Sequence, residues 1–184
     1  MLKVNLRIGI LILMIVAAAL SRLLPHPFNF TPIGAMALFG AAYFSDKRLA
    51  FIVPFLAMWL SDLWLNNVTY PSANGFQWTG NAWVYGSFAL IALLGFGLLR
   101  RVKVAAVLGT SLLASILFFL ITNFSVWLGS TGYPQNMTGL LACYGAGIPF
   151  FWNTIAGDLF YCAVLFGGFE WAQNRLPVLQ RTNA

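Results

Sequence analysis

The sequence predicts an all-α membrane protein: one bundle of six transmembrane helices with both termini on the inner side, a short second helix, and loops that cap the outer face. Three observations predict this class. The hydrophobic fraction is 60% of 184 residues and the charged fraction 8%, whereas soluble domains carry about 25% charged residues. Long apolar runs follow one another along the chain. Basic residues stand at the ends of those runs.

Composition also excludes several function classes. A chain this short cannot bury so much apolar surface in one water-soluble core, so a soluble enzyme is excluded as the default. The net charge of +6 comes from the ends of apolar runs and not from a basic stripe with interleaved aromatic residues, so we predict no nucleic-acid partner. Cys143 and Cys162 are too few for a disulfide framework or a zinc site and are expected to be apolar filler. No metal and no cofactor is predicted.

Six apolar segments are the predicted helices of a single domain, residues 1–184. The first is also compatible with a signal peptide, because a basic start and an apolar stretch precede three alanines. The second opens with Pro32, which a first helical turn tolerates, and it is short enough for either a short span or a re-entrant segment. The approximate bounds of the six are 6–24, 31–44, 48–65, 82–99, 104–129 and 150–172.

The basic residues determine the predicted orientation. With the amino terminus inside, nine of the ten Lys and Arg residues fall on the inner side and Arg22 alone falls outside. Cytoplasmic loops carry such an excess, so an N-in, C-in topology in a bacterial inner membrane is expected. The inner set is Lys3, Arg7, Lys47, Arg48, Arg100, Arg101, Lys103, Arg175 and Arg181.

Two longer outer loops, 66–82 and 129–149, contain no charged residue but several amide, hydroxyl and aromatic ones. Parts of the second loop are too apolar for a free loop. We expect both loops to fold back over the outer face as a cap. Simple interfacial packing explains them equally well, because Trp and Tyr favour that depth in any membrane protein.

The few polar side chains inside apolar segments are the most informative residues. A charged group at the bilayer centre costs about 2.5–3.5 kcal/mol on insertion scales, so such groups rarely lack a role. Asp62, Asn123, Asn153 and Asp158 all fall in the outer half of the predicted bundle. Apart from Arg22, no Lys or Arg of that half is available to pair with Asp158, which favours a functional role for this residue.

These residues define a predicted binding site for a small molecule that enters from the outer side. Six of the seven tryptophans also fall in or near the outer half, and flat rings there can stack on a ligand, although an interfacial belt explains part of this bias. A lipid-acting enzyme with Asp62 and Asp158 as an acid/base pair is the least favoured alternative, so no enzyme is predicted. The predicted site is Asp62, Asn66, Trp83, Tyr85, Asn123, Asn153 and Asp158.

The second helix is built mainly from small residues. Ala37 and Ala41 form a small-xxx-small pair that allows close approach of another helix. That helix belongs either to the same bundle or to another subunit. The second choice gives the alternative function, a structural membrane protein that associates with another membrane protein through this helix.

Three stretches resemble a family of small bacterial inner-membrane proteins that is catalogued as a domain of unknown function and labelled as transport proteins. They are residues 22–44, beginning RLLPHPFNFTPIGAMALFG, residues 53–63, VPFLAMWLSDL, and residues 142–159, ending IPFFWNTIAGDL. The resemblance covers nearly the whole chain. It implies a transport role without naming a substrate.

More distantly, the size, the six predicted helices and the outer polar residues resemble the S components of energy-coupling factor transporters. That resemblance implies capture of a small molecule such as a vitamin on the outer side, together with a transmembrane coupling subunit and ATPases. S components carry an Ala-x-x-x-Ala motif on the first helix, whereas here Ala37 and Ala41 stand on the second. Solitary proteins of this kind work without a coupling subunit.

Overall fold

The computed structural model describes residues 2–73 and 75–180, with side chains from Leu6 onward. Every regular element in this part of the chain is helical, which confirms the predicted all-α class. The side chain of Lys3 and the whole of Arg181, both assigned above to the inner side, lie outside the described part.

Seven α-helices account for most of the described residues. A π-helical turn, Leu65–Thr69, extends the third helix, and a second π-helical turn, Ala163–Gly167, joins the sixth helix to the seventh. A 3-10 turn, Pro177–Leu179, follows. The α-helices are α1 (Leu2–Ser21), α2 (Ile33–Tyr43), α3 (Lys47–Trp64), α4 (Ala82–Leu98), α5 (Val104–Gly129), α6 (Met137–Cys162) and α7 (Gly168–Arg175).

Short polar side chains begin three of these helices. Asp46 accepts a hydrogen bond from the backbone N–H of Arg48 at 2.8 Å. Asn81 and Asn136 do the same at the start of α4 and α6, with distances of 2.9 and 3.0 Å. Each thereby satisfies one of the backbone donors that a first helical turn leaves without a partner. Helix α2 differs, because its N-cap is Pro32, which offers no side-chain acceptor.

Helix α6 corrects the prediction for the last segment. It begins at Met137 rather than near residue 150, so the segment expected to form a capping loop is mostly helical, and only residues 130–136 connect α5 to α6. Pro149 lies inside the helix. Proline usually ends a helix, but neighbouring helices and local adjustments accommodate it in apolar bundles.

Three helical segments are long and apolar enough to cross a membrane: Lys47–Thr69, Val104–Gly129 and Met137–Arg175. Three shorter apolar helices accompany them: Leu6–Ser21, Ile33–Tyr43 and Ala82–Leu98. Large apolar side chains such as Leu13 and Leu93 are exposed on the outside of the bundle. A surface of this kind is expected where hydrocarbon is the solvent.

Helix α2 lies at the centre of the bundle. It packs against α1, α3, α4, α5 and α6, and its residues from Ile33 to Gly40 are all buried. Small side chains make this position possible. A Cβ built on Gly40 would meet the carbonyl oxygen of Ala50 at 2.7 Å, and a Cβ on Gly95 would meet the Cβ of Ala41 at 2.8 Å. At these two positions α3 and α4 therefore pack closely against α2.

The bundle has two chemically different ends. One end, here called the polar end, carries the connections 22–32, 65–73 with 75–81, and 130–136. The other, the basic end, carries 44–46, 99–103 and 168–180. The exposed Lys and Arg side chains of the described residues all belong to the basic end or the first turn beside it: Lys47, Arg48, Arg100, Arg101, Lys103 and Arg175.

Candidate functional site

Asp62 lies in a buried ion pair near the polar end. Its Oδ1 accepts a hydrogen bond from Arg22 Nη2 at 2.6 Å, and the hydroxyl of Tyr85 donates to Oδ2 at 2.8 Å. Nη1 of Arg22 also donates to the hydroxyl of Ser61 and the carbonyl of Met58. Both oxygens of this carboxylate therefore have partners within the chain.

This cluster connects three elements. Arg22 follows α1, Asp62 is in α3 and Tyr85 is in α4. Removing either charge from such a buried pair leaves the other uncompensated in a medium of low dielectric constant. Asp62 and Tyr85, which the sequence assigned to one binding site, do lie together, but their contact is with each other and with Arg22. The arrangement supports a structural role.

Asp158 is also buried, but its surroundings are different. The hydroxyl of Ser115 donates to its Oδ2 at 2.7 Å, and its carboxylate lies directly against Gly34. Gly34 is in the first turn of α2. Asp158, from α6, therefore places a carboxylate at the start of the central helix, where Pro32 offers no side-chain acceptor.

The close approach of α6 to α2 depends on Gly34. A Cβ at this position would clash with the Asp158 carboxylate, most severely with Oδ1. Helix N-termini favour negative charge because their N–H groups and dipole point at it. The partner that sequence reasoning did not find for Asp158 is thus a helix terminus and not a cation.

A cleft at the polar end lies among α4, α5, α6 and the α1–α2 connection, and it has a volume of about 430 Å³. We call it the Asn123 cleft. No acidic or basic side chain occurs among the described residues that line it. Its polar lining is Asn29, Asn81, Thr122, Asn123, Ser125 and Tyr133, and its apolar lining includes Phe28, Val84, Phe118, Val126, Ala146 and Phe150.

Asn123 is the predicted site residue that lines this cleft. Its Nδ2 donates to the carbonyl of Phe119 at 2.9 Å, one turn earlier in α5. Its Oδ1 faces Gly147 of α6 so closely that a Cβ there would clash with it. The thiol of Cys143, also in the lining, donates to the backbone carbonyl of Asn123 at 3.5 Å. Gly147 and Cys143 of α6 thus leave room for the side-chain amide of Asn123.

The connection between α1 and α2 forms another wall of the cleft. Phe28 is 75% exposed, and its backbone carbonyl accepts a hydrogen bond from Asn153 Nδ2 at 2.9 Å. Asn29 has a φ of 64° and is the one non-glycine residue with positive φ among those described. Asparagine tolerates this left-handed conformation better than most residues. Asn153 therefore supports the cleft by positioning this wall.

The other two predicted residues lie elsewhere. Asn66 lines a separate, shallower depression of about 510 Å³ at the same end, beside Gln77 and Gly80. Trp83 is 42% exposed, and its ring packs against Phe124, 6.0 Å between centroids, outside the Asn123 cleft. Trp64, Trp78 and Trp152 are also exposed, which fits an interfacial belt better than a ligand-binding wall.

The Ala37 and Ala41 pair contacts the chain itself. Ala37 has no exposed surface, and α2 is covered by the other helices of the bundle. Another subunit cannot reach Ala37 while the bundle keeps this packing. Of the two partners considered for this helix, the structure provides the neighbour within the same bundle.

Sequence reasoning missed most of the cleft lining. Thr122 lines the cleft, whereas Ser111 and Ser115, earlier in the same helix, are buried. The signal that was available is local. Residues 122–125 place two hydroxyls and an amide within one turn near the outer end of an apolar helix.

The chemistry of the cleft is that of a site for an uncharged molecule. Amide and hydroxyl groups can donate or accept hydrogen bonds, and the apolar side chains can cover a hydrocarbon or ring surface. Small-molecule pockets typically have volumes of about 300–1,000 Å³. Among the residues that the structure describes, no group of three His, Cys, Asp or Glu side chains could hold a metal ion.

Comparison with known proteins places this architecture in a family. A family model described as a family of unknown function, DUF6580, matches residues 2–179. No curated protein and no solved structure matches the chain. The matched segment includes α1 to α7 and therefore the helices that build the polar end and the central α2. The chain is a member of the DUF6580 family.

Proposed function

We propose that this protein is a substrate-binding membrane transport protein that captures a small neutral molecule in the Asn123 cleft and moves it inward across a bacterial inner membrane. The observation that carries the proposal is the uncharged lining of a cleft of about 430 Å³ at one end of an apolar bundle. Its size is suitable for a vitamin-sized ligand.

The proposed topology has six membrane-crossing helices with both termini inside. It is supported by the distribution of charge, because the exposed basic side chains named above lie at the basic end, whereas Arg22 near the polar end is buried against Asp62. The positive-inside rule then places the basic end in the cytoplasm and the polar end outside. In this orientation the Asn123 cleft faces the side from which a nutrient arrives.

The buried carboxylates give no support to an enzymatic alternative. Both oxygens of Asp62 have partners, and Asp158 accepts from Ser115 and lies against the first turn of α2. A general acid or base must reach a proton on its substrate within hydrogen-bond distance. Neither carboxylate lines the Asn123 cleft, so we assign the ligand contacts to amide and hydroxyl groups.

Inward movement requires rearrangement of the bundle, because α2 and its packed neighbours lie between the polar and the basic ends. The proposal follows the division of labour in the S components that the sequence resembles, in which a transmembrane coupling subunit and its ATPases supply the energy. An ion gradient is the other possible source. In either case the chain described here supplies the capture step.

A bulky side chain in the cleft provides the test. Ala146 is exposed and lines the cleft, whereas Ala156 is exposed on the same helix outside it. We would purify the wild type, Ala146→Phe and the matched control Ala156→Phe in lipid nanodiscs and identify bound small molecules by mass spectrometry. We expect one neutral species with the wild type and with Ala156→Phe, and at least about tenfold less with Ala146→Phe.

The result also depends on an intact fold, so the thermal unfolding midpoint of each variant is measured alongside. Equal amounts of the molecule with both variants at equal midpoints would contradict the assigned cleft. Absence of any bound molecule from the wild type, or a molecule that carries a net charge, would contradict the proposed ligand class.

A further inference from the structure

A second cavity, of about 530 Å³, opens at the basic end between the start of α5 and the helix formed by α6, the π-helical turn and α7. We call it the basic-end groove. Its walls are mainly aliphatic and aromatic, with Val104 and Leu108 on one side and Leu159 and Phe166 on the other. It lies at the opposite end of the bundle from the Asn123 cleft.

The π-helical turn provides space for this groove. Ala163 and Gly167, at the two ends of that turn, both line it, and a Cβ added to Gly167 would meet nothing within 4 Å. Such π-helical turns inside long helices often occur at functional sites. Small residues at a local change in helix geometry therefore form this part of the groove wall.

The charges beside the groove are predominantly positive. Lys103 lines it and is exposed, and Arg100 and Arg101, also exposed, immediately precede it in the same connection. Glu170 is the acidic residue in the described lining, and its carboxylate accepts a hydrogen bond from the hydroxyl of Tyr43. The acidic group is thus engaged within the chain, whereas the three cations are exposed.

We infer that the basic-end groove binds an anionic phospholipid, with an acyl chain along Val104, Leu108 and Leu159 and the phosphate beside Lys103. An apolar groove that is lined by Lys103 and adjoins a connection with two further exposed cations, Arg100 and Arg101, is complementary to this class of molecule. Basic pockets between membrane helices on the cytoplasmic side bind anionic headgroups for the same reason. This inference does not depend on the proposed transport function.

Native mass spectrometry in detergent tests the headgroup contact. Phosphatidylglycerol and phosphatidylcholine are added separately to the wild type, to Lys103→Gln and to the matched control Arg48→Gln, which removes an exposed charge of the basic end outside the groove. We expect the wild type to prefer phosphatidylglycerol. Lys103→Gln should weaken phosphatidylglycerol binding about fivefold, and Arg48→Gln should not weaken it.

A second pair of variants tests the acyl-chain contact. Ala163→Phe fills the groove, and Ala105→Phe places the same side chain at an exposed position of α5 outside it. Ala163→Phe should reduce binding of both lipids, and Ala105→Phe should leave it unchanged. Equal binding of the two lipids to the wild type, equal loss in Lys103→Gln and Arg48→Gln, or full competition by soluble glycerol phosphate would overturn the inference.

Discussion

Asp62 and Asp158 are both buried carboxylates in an apolar bundle, yet the chain satisfies them by different means. Asp62 pairs with a full positive charge, Arg22, and receives a hydroxyl from Tyr85. Asp158 pairs with no cation; it accepts a hydrogen bond from Ser115 and lies against the first turn of α2. Each arrangement offsets part of the cost of an isolated charge in a medium without water.

The different partners of Asp62 and Asp158 indicate how each carboxylate contributes to the fold. The Arg22–Asp62 pair connects α3 to the residue that follows α1, at the polar end of the bundle. Asp158 lies at the start of the one helix that is surrounded by all the longer ones. Neither carboxylate lines the Asn123 cleft, so the proposed ligand contacts are assigned to the uncharged groups of that cleft.

The largest expected loss of stability comes from a substitution that removes only one charge of the Arg22–Asp62 ion pair. Asp62→Ala leaves the buried guanidinium of Arg22 without its counter-charge, which costs about 3–5 kcal/mol of the free energy of unfolding. The double variant Arg22→Met with Asp62→Leu removes both charges and keeps apolar volume, so it should lose much less. The free energy of unfolding of both variants is measured in detergent, by thermal and by denaturant titration.

This pair of variants also decides how the cluster acts. If the double variant is as unstable as Asp62→Ala, the loss does not come from an uncompensated charge, and the electrostatic account of the cluster is wrong. Asp46→Ala serves as a control, because Asp46 is exposed and caps α3 near the opposite end of the bundle.

A somewhat smaller effect is expected at Asp158. Asp158→Ala leaves no buried charge, but it removes the acceptor that lies against the N–H groups of the first turn of α2, at a cost of about 2–3 kcal/mol. The hydroxyl of Ser115 keeps its other acceptor, the carbonyl of Ser111. Asp158→Asn keeps one acceptor oxygen and should fall between the wild type and Asp158→Ala. Hydrogen exchange of the amides in the first turn of α2 should rise in the same order. Unchanged exchange there would contradict the capping role.

The smallest expected changes in the free energy of unfolding are those of alanine substitutions at two glycines, Gly34 and Gly86. Gly34→Ala places a methyl group against the Asp158 carboxylate, and we expect it to lose about 1–3 kcal/mol through the forced shift. Gly86→Ala in α4 meets nothing within 4 Å and should gain up to about 1 kcal/mol, because alanine favours helix more than glycine. Thermal midpoints that move in the same direction for both would contradict the proposed α2–α6 contact.

The elements that the sequence predicts well are those marked by uninterrupted apolar runs. Helices α4 and α5 begin and end within about a residue of the expected bounds. The π-helical turns were not expected, because a π-helical turn depends on the packing around it and not on a local signal.

Pro149 explains the main error in the fold. Proline normally marks a helix start or an interruption, so the sixth helix was expected to begin beside it. The structure continues the helix back to Met137, with the hydroxyl of Tyr144 donating to the carbonyl of Leu120 at 2.7 Å across the α5–α6 pair. The long contact with α5 outweighs the lost hydrogen bond, and such tertiary compensation cannot be predicted from local sequence.

Of the seven residues predicted to bind a small molecule, Asn123 lines the candidate cleft. The cost of polar groups in hydrocarbon drew attention to Asp62, Asn123 and Asp158. It could not distinguish a partner inside the chain from a ligand. For Asp158 the partner is a backbone terminus more than a hundred residues away, at Gly34, and the only trace of it in the sequence is a helix that begins after Pro32 without a polar cap.

Buried charges stabilise the bundle, whereas the uncharged Asn123 cleft is the proposed ligand site. The most direct measurement is the amount of co-purified small molecule per mole of protein in lipid nanodiscs for the wild type, the Arg22→Met/Asp62→Leu double variant and Ala146→Phe. The account predicts that the double variant keeps the molecule and that Ala146→Phe loses it. Loss of the molecule from the double variant at an unchanged unfolding midpoint, with retention by Ala146→Phe, would contradict it.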